Sequence, residues 1–179
     1  MKKLTTILSF SLLLVGLMSC QKTKDEINDK TEFDMSYSTS VPIPSNPNYT
    51  VTTPVDLSTP EINTESSNKF KAESTAKDLI SEIKMTKFVI SNSAGNLNFL
   101  KSISIYLRTS GKGEQLVAVK TNIPDNTTTM DADLEDVNIK DYIFNDKIQF
   151  RLSATITSGL SSDQNLKIEQ TLHVKGKKL

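Results

Sequence analysis

The clearest alternation in the sequence is IQFRLSATI, residues 148–156. Apolar side chains occupy every second position, and polar or charged side chains occupy the positions between them. Successive side chains of a β-strand point to opposite faces of the sheet, so this pattern predicts a strand that is buried on one face. Such half-buried strands are typical of antiparallel sheets. The predicted inward residues are Ile148, Phe150, Leu152, Ala154 and Ile156.

Two further segments carry the same period. Residues 166–174 alternate apart from Gln170, which interrupts the apolar face. We expect Gln170 to have a hydrogen-bond partner or to lie at a β-bulge, because buried polar groups are rarely unpaired. Residues 103–107 also alternate, and the turn 110–113 leads from them into 115–120, which predicts a β-hairpin.

The alternation changes phase in the middle of the chain. Ile83 and Met85 fall on one parity, whereas Phe88 and Ile90 fall on the other. An extra residue in a strand moves all later side chains to the opposite face. We therefore predict a β-bulge near Thr86-Lys87, which would let both pairs face the core.

The remaining strands are predicted from weaker patterns. Residues 33–43 and 130–134 each show alternation. Five of the six prolines lie in 42–60, and proline cannot donate a hydrogen bond to a sheet. This region is therefore predicted to be loop and edge strand, with one interrupted edge strand within 51–62, around Leu57 and Ile62. The alternative is a disordered linker rich in proline, serine and threonine.

Two short helical turns are expected between the strands. Thr75 followed by Asp78 has the spacing of a capping box, in which both side chains bond the free amide groups of a helix start. Residues 138–141 repeat this arrangement. We interpret both as single turns that cover the ends of the β-structure.

Seven or eight short strands with so few helices predict an all-β fold, an antiparallel β-sandwich formed by residues 33–179. A chain of this size can form one domain. Periodicity does not separate a sandwich from a small barrel, so the barrel stays open as the alternative.

The N-terminal segment has the features of an export signal. Lys2 and Lys3 precede an apolar run over 4–18. A positively charged start, a short apolar region and a small residue are typical of a secretory signal peptide. About 20 apolar residues are needed for a helix to cross a bilayer, so this run is too short for a standard transmembrane helix.

Leu17-Met18-Ser19-Cys20 resembles the lipobox of bacterial lipoproteins. The resemblance implies that residues 1–19 are removed and that Cys20 receives a diacylglycerol on its sulfur and a further acyl chain on its amine. Two or more acyl chains hold a protein stably at a membrane. The alternative is an uncleaved signal anchor with an incidental cysteine. We therefore predict an outer-membrane, lipid-anchored protein.

The predicted mature chain has a polar tether and little net charge. Cys20 is the only cysteine, so no disulfide is expected. Removal of the signal changes 21 basic and 21 acidic residues to 19 and 21, a formal charge of −2. This balance gives no reason to expect a nucleic-acid partner. Residues 20–32 are polar and are predicted to be a flexible tether. Lys24-Asp25-Glu26 within them resembles the signal that sends some Bacteroidota lipoproteins to the cell surface.

Several stretches also resemble small Bacteroidota lipoproteins of unknown function with an immunoglobulin-like fold. The resemblance implies an immunoglobulin-like sandwich and no known active site. It rests on FDMSY at 33–37, TPEI at 59–62, KDLI at 77–80, NFLKSI at 98–103 and KDYI at 140–143.

Candidate catalytic residues are few. His173, the only histidine, is predicted to face solvent from a strand, and no G-x-S-x-G motif accompanies it. Ser74 with Lys77, and Ser81 with Lys84, have the S-x-x-K spacing of penicillin-recognising enzymes but lack a K-T-G element. We expect no enzyme activity and no cofactor.

One acidic cluster could bind a cation. Carboxylate oxygens at this density are potential Ca²⁺ ligands. The spacing does not match an EF-hand, and alternation predicts that the first two face solvent, so a solvated surface is the simpler interpretation. The cluster consists of Asp131, Asp133, Glu135 and Asp136.

Two other charged motifs have simple structural interpretations. Gly111-Lys112-Gly113 is expected to be a hairpin turn. The lysines at 175, 177 and 178 form a basic C-terminus that is expected to be solvated.

These observations predict a binding or structural module at the cell envelope, held to the membrane through acylated Cys20. A protein or glycan is the expected kind of partner, and its identity does not follow from the sequence. The alternatives are a carrier of a small apolar ligand and, less favoured, a hydrolase without a recognisable motif.

Overall fold

The computed structural model describes residues 32–157 and 159–177. Cys20, the predicted signal peptide and all of the predicted tether except Glu32 lie outside the described residues. The helices are α1, Ser66–Ala72, and α2, Lys140–Ile143, and a 3₁₀ turn spans Lys77–Leu79. The strands are β1 Glu32–Ile43, β2 Val55–Ser58, β3 Ile62–Asn63, β4 Ile80–Asn92, β5 Leu100–Arg108, β6 Gln115–Thr121, β7 Thr129–Asp131, β8 Asp133–Leu134, β9 Lys147–Ile156 and β10 Gln164–Gly176.

The strands form two antiparallel sheets. One has the order β1-β10-β4-β7, and the other has the order β2-β9-β5-β6-β8, with β3 also paired to β9. The predicted antiparallel β-sandwich is therefore confirmed. The described strands number ten instead of seven or eight, because two of the predicted strands are each divided into short pieces.

The two antiparallel sheets pack face to face, as expected for an immunoglobulin-like sandwich. The order of the strands within the sheets, however, is that of a jelly roll. When β2 with β3 and β7 with β8 are each counted as one strand, eight strands remain. The sheets then have the orders 1-8-3-6 and 2-7-4-5, and the β8 piece of strand 6 also pairs beside strand 5 in the second sheet. This is the double Greek-key arrangement of a double-sheet jelly roll.

The core lies between the inward faces of the two sheets. All five predicted inward residues of β9 are fully buried. Phe88 of β4 meets Phe150 of β9 edge to face, with ring centroids 5.3 Å apart. Such aromatic pairs contribute beyond the area they bury. They join the sheets at the centre of the sandwich.

The predicted bulge lies at Thr86. Thr171 of β10 is opposite Lys87 and the next residue, Leu172, is opposite Met85, so Thr86 is the extra residue. It lets Met85 and Phe88 both face the core. The prediction from the change of phase is confirmed.

Gln170 pairs in register one residue before the shift in β10, and neither its Oε1 nor its Nε2 has a hydrogen-bond partner among the described residues, so the expected partner is not found. Its side chain is 1% exposed and faces the core. It lies opposite Tyr37 of β1 and Phe88 of β4.

Two local predictions were wrong. The 130–134 strand is divided at Ala132, because β7 pairs with β4 in one sheet and β8 pairs with β6 in the other. Leu134 is consequently 36% exposed instead of buried. Thr75 does not cap a helix: the 3₁₀ turn begins after Ala76, and no side chain caps it.

Helix α1 was not predicted, because it is held mainly by contacts with distant residues. The Asp146 carboxylate accepts a 2.9 Å hydrogen bond from the Ser67 backbone N–H at its start. Phe70 packs edge to face against Phe33 and Phe144, with centroids 6.2 and 5.9 Å away. These partners are far apart in sequence and leave no helical period.

Among the residues described, no helix has the length and apolar character needed to span a membrane.

Candidate functional site

Four loops meet at one end of the sandwich, which we call the loop end. It consists of 44–54, 93–99, 122–128 and 157–163, of which residue 158 is not described. β1 runs from Glu32 to the start of the first loop in 12 residues. At a rise of about 3.3 Å per residue, the loop end lies roughly 35–40 Å from Glu32 along the strand.

The loop end is almost uncharged. Its four loops contain two charged residues, Asp125 and Asp163, whereas 64–79 at the opposite end contains six. The Asp163 carboxylate accepts a 2.7 Å hydrogen bond from the Ser45 backbone N–H, and this bond lowers its pKa. One of the two charges therefore has a structural partner inside the loop end.

The loops are joined to one another by hydrogen bonds. Asn46 and Leu160 exchange backbone bonds of 3.0 and 2.9 Å. The backbone N–H of Leu97 donates to the Thr127 carbonyl at 2.6 Å. These bonds join 44–54 to 157–163 and 93–99 to 122–128. The Thr157 hydroxyl donates to the Asn98 carbonyl at 3.2 Å and joins the two pairs, so the four loops brace one another.

Gly159 allows the 157–163 loop to lie directly against the backbone of Pro47 in the 44–54 loop. A Cβ atom added at this position would lie 2.5 Å from the Pro47 carbonyl oxygen. Any other residue would push the two loops apart.

A depression of about 450 Å³ opens at the loop end, beside the start of β10. No charged residue lines it. Three of its lining side chains are amides and one is aromatic, and the lining consists of Ala94, Gly95, Asn96, Asn98, Phe99, Thr157 and Gln164.

Asn92 organises the wall of this depression from below. It is 5% exposed. Its Nδ2 donates to the Asn96 carbonyl at 3.0 Å and to Gln164 Oε1 at 2.8 Å. Its Oδ1 accepts a bond from the Ala94 backbone N–H at 3.1 Å. One buried amide thus holds both the 93–99 loop and the Gln164 side chain.

Asn96 and Asn98 are the exposed amides of the depression. Asn96 Oδ1 accepts a 3.2 Å bond from the Asn98 backbone N–H. Asn98 Oδ1 accepts a 2.6 Å bond from the Asn126 backbone N–H. Within the described ranges, neither Nδ2 group has a protein partner. The acceptor side of each amide is fixed, and its donor side is available to a ligand.

A second depression, of about 570 Å³, has a different character. It lies at the opposite end, near the β5–β6 turn, and its lining includes Glu61, Arg108, Lys112, Glu114 and Lys147. Each of the three cations forms a salt bridge with a carboxylate on the surface. The pairs are Lys147 with Glu61, Arg108 with Glu114, and Lys112 with Asp141. These charges neutralise one another, so this surface offers no strong site for a charged ligand.

The predicted catalytic candidates do not form a reaction centre. His173 Nδ1 lies 2.8 Å from Asp34 Oδ1, and its Nε2 lies 3.8 Å from Glu32 Oε2. Its side-chain partners among the described residues are these two carboxylates, and no serine hydroxyl bonds to it. The cluster ties the start of β1 to β10.

Neither S-x-x-K pair brings its serine and lysine together. Ser81 Oγ donates to the Lys175 carbonyl at 2.9 Å, and Lys84 pairs with Glu82 and Asp136. Lys77 of the other pair donates to the Phe144 carbonyl.

The acidic cluster is dispersed. Asp131 and Asp133 are exposed, as predicted, on β7 and β8. Lys120 Nζ lies 3.1 Å from Asp133 Oδ1, and Lys84 Nζ lies 2.6 Å from Asp136 Oδ1. Over residues 32–157 and 159–177, no three His, Cys, Asp or Glu side chains are grouped to hold a metal ion.

Sequence reasoning did not single out the loop end. Its residues have no motif, and its contacts join segments far apart in the chain. The one local signal is the low charge of these loops.

No protein-family model and no curated protein matches the chain. Solved structures similar to it include the acidic stable capsid of Helicobacter pylori bacteriophage KHP30, at 7% identity and a TM-score of 0.37, covering 78% of this chain and 92% of that one. The cyanophage Pam1 capsid asymmetric unit has 8% identity and a TM-score of 0.38, with coverages of 78% and 85%. Tomato aspermy virus has 10% identity and a TM-score of 0.29, with coverages of 79% and 78%. Similarity at this level carries no inference about function.

Proposed function

We propose that this protein is an exported, lipid-anchored binding module that contacts its partner at the cell envelope through the loop end. The observation that carries the proposal is a neutral, mutually braced set of loops at the end of the sandwich away from the start of β1. Loops on a rigid scaffold are the usual place for binding residues.

The position of the anchor agrees with this role. Acylated Cys20 would hold the chain at the outer membrane, and residues 21–31 would connect it to the first residue of β1. An extended chain spans at most about 3.3–3.6 Å per residue, so this tether reaches roughly 40 Å. Attachment at the start of β1 leaves the loop end free to face away from the membrane.

A non-catalytic role is supported by the surroundings of the polar side chains. The His173 ring is engaged by Asp34 at 2.8 Å. The Arg151 guanidinium is engaged by Glu114 and Asp56, at 2.6 and 2.7 Å. These are structural polar contacts on the outer faces of the sheets, and catalysis forms no part of the proposal.

The carrier alternative gains no support from the depressions. A carrier requires an enclosed apolar cavity of roughly 300 Å³ or more. The two large depressions described above open at the surface, and neither is an enclosed cavity.

Photo-crosslinking in intact cells tests the proposed contact surface. A benzophenone side chain placed at Ser93, in the loop end, should yield adducts of higher mass. The same group at Lys71, an exposed position of α1 at the opposite end, is the matched control and should yield none. Benzophenone reacts with C–H bonds, so it captures protein and glycan partners alike.

Adducts that form equally at both positions, or at neither, contradict the proposal. Equal adducts would indicate non-specific crowding, and none would indicate that the loop end has no partner within reach.

A further inference from the structure

We infer that the 450 Å³ depression of the loop end binds a neutral carbohydrate. The inference rests on the proposed function, since it assumes that the loop end is the contact surface, and it adds the class of ligand. Jelly rolls carry many unrelated functions, so the argument depends on the side chains and not on the fold.

The lining selects an uncharged ligand. None of its residues carries a charge, and Asp163, which lies next to Gln164, is bonded to the Ser45 backbone. A charged group that enters such a site loses hydration without gaining an opposite charge. Anionic polysaccharides, nucleic acids and charged peptides are therefore disfavoured.

The polar groups of the lining match those of sugar hydroxyls. A hydroxyl both donates and accepts a hydrogen bond, and the side-chain amides of Asn and Gln offer the same two functions. Asn96 and Asn98 offer Nδ2 donors, and the Thr157 oxygen, whose hydroxyl donates to the Asn98 carbonyl, keeps its acceptor function. Gln164 shapes the wall, because its Oε1 accepts from Asn92 and its Nε2 donates to Ser162. Phe99 is half-buried and adds an apolar surface, against which the C–H groups of a sugar ring can pack.

The site is organised before a ligand arrives. The buried Asn92 amide holds the 93–99 loop and Gln164, and the Asn126 backbone N–H holds Asn98. Binding then costs little loop or side-chain entropy, which is how a shallow polar site gains affinity. A volume of about 450 Å³ lies within the usual range of roughly 300–1,000 Å³ for small-molecule sites.

Affinity electrophoresis of the full chain tests this inference. The protein is kept in a detergent without a sugar headgroup, and the gels contain dextran, mannan, xylan or soluble starch. Heparin and polygalacturonate serve as acidic probes. We expect at least one neutral polysaccharide to retard the protein and the acidic ones to leave it unretarded.

Asn96→Asp and Asn98→Asp should each weaken this retardation about 10-fold or more. Each substitution keeps the Oδ1 acceptor that holds the loop and replaces the Nδ2 donor by a carboxylate oxygen. Asn68→Asp, at an exposed position of α1, adds the same charge at the opposite end and should change nothing. Phe99→Leu, which retains an apolar side chain, should also weaken retardation and provides a second variant if an Asp variant unfolds.

Three results would overturn the inference. The first is that no neutral polysaccharide retards the protein, and the second is that only the acidic ones do. The third is that the loop-end variants are retarded as strongly as the parent. If these occur while Ser93 still crosslinks to a protein, the proposed function holds and only the ligand class is wrong. If crosslinking at the loop end also fails, both the proposed function and the assigned ligand class are contradicted.

Discussion

Arg151 illustrates how one outward residue organises a sheet face. Alternation in β9 directs its side chain away from the core. Its guanidinium donates to Glu114 on one side, at 2.6 Å, and to Asp56 on the other, at 2.7 Å. It also lies 4.1 Å from the centre of the Tyr106 ring, in a cation–π contact. The side chain thereby joins β2, β5, β9 and the turn before β6.

Glu114 should make the free energy of unfolding depend on pH in the acidic range. Hydrogen bonds from Arg151, and then from Arg108, lower the pKa of its carboxyl from 4.5 to about 2. The folded state binds a proton at this carboxyl less tightly than the unfolded state does. The ionised carboxylate therefore stabilises the fold fully above about pH 4.5, and this stabilisation is lost as the pH falls through about 2. Glu114→Gln should therefore be less stable than the parent at pH 7, with a difference that disappears near pH 2.

Urea unfolding at pH 7, 4 and 2 measures this difference. Glu61→Gln is the control, because its pair with Lys147 is two-thirds exposed and such pairs contribute little. A difference between Glu114→Gln and the parent that persists unchanged at pH 2 would refute the assignment.

At the scale of elements, the bulge in β4 determines which residues enter the core. Before Thr86, Ile83 and Met85 are buried, and after it Phe88 and Ile90 are buried. One unpaired residue allows two apolar segments of opposite parity to share one strand.

Deletion of Thr86 should destabilise the domain by at least ~3 kcal/mol. Without the extra residue, a continuous register turns Ile83 and Met85 outward, and each buried side chain of this size contributes about 1.5–3 kcal/mol. Chemical denaturation gives the free energy of unfolding. Thr86→Ala, which keeps the bulge, should cost less than about 0.5 kcal/mol. Equal stability of the two variants would show that the bulge does not set the register.

At the scale of the whole molecule, the jelly-roll order places the first and last strands side by side. β1 and β10 pair along the full length of β1, from Glu32 opposite Lys175 to Ile43 opposite Gln164. The start of the domain is therefore secured by its C-terminal strand. The predicted tether leaves from a strand that is already part of the sheet, so anchor and domain should act independently.

Cys20→Ser should abolish acylation without changing the fold. Cys20 is the only cysteine, so no other thiol can take the acyl chain, and it precedes every described strand. Labelling of cells with an alkyne fatty acid should mark the parent and not the variant, and the thermal unfolding midpoint of the domain should be the same for both. Mass spectrometry of an unlabelled mature chain that still carries Met1 would refute the lipoprotein prediction.

Local patterns in the sequence were sufficient for the long strands and for the bulge. Alternation in 148–156 and the change of phase around Thr86 depend on which face of a single strand each residue occupies. That is a property of neighbouring residues, because the period of a strand is two. The predicted all-β class follows from these patterns, since strands with one apolar face must bury it, whereas the choice of sandwich over barrel was decided by the strand pairing.

Strand order, helix α1 and the loop end were decided by the tertiary structure. Asn98 meets Asn126, and Gln164 meets Asn92, across 28 and 72 residues. Such partners leave no period or motif in either segment. Short pieces such as β7 and β8 likewise take their sheet from the strand they pair with. Contacts over these separations form only when the whole chain has packed, so the surface to which we assign binding could not be found from the sequence.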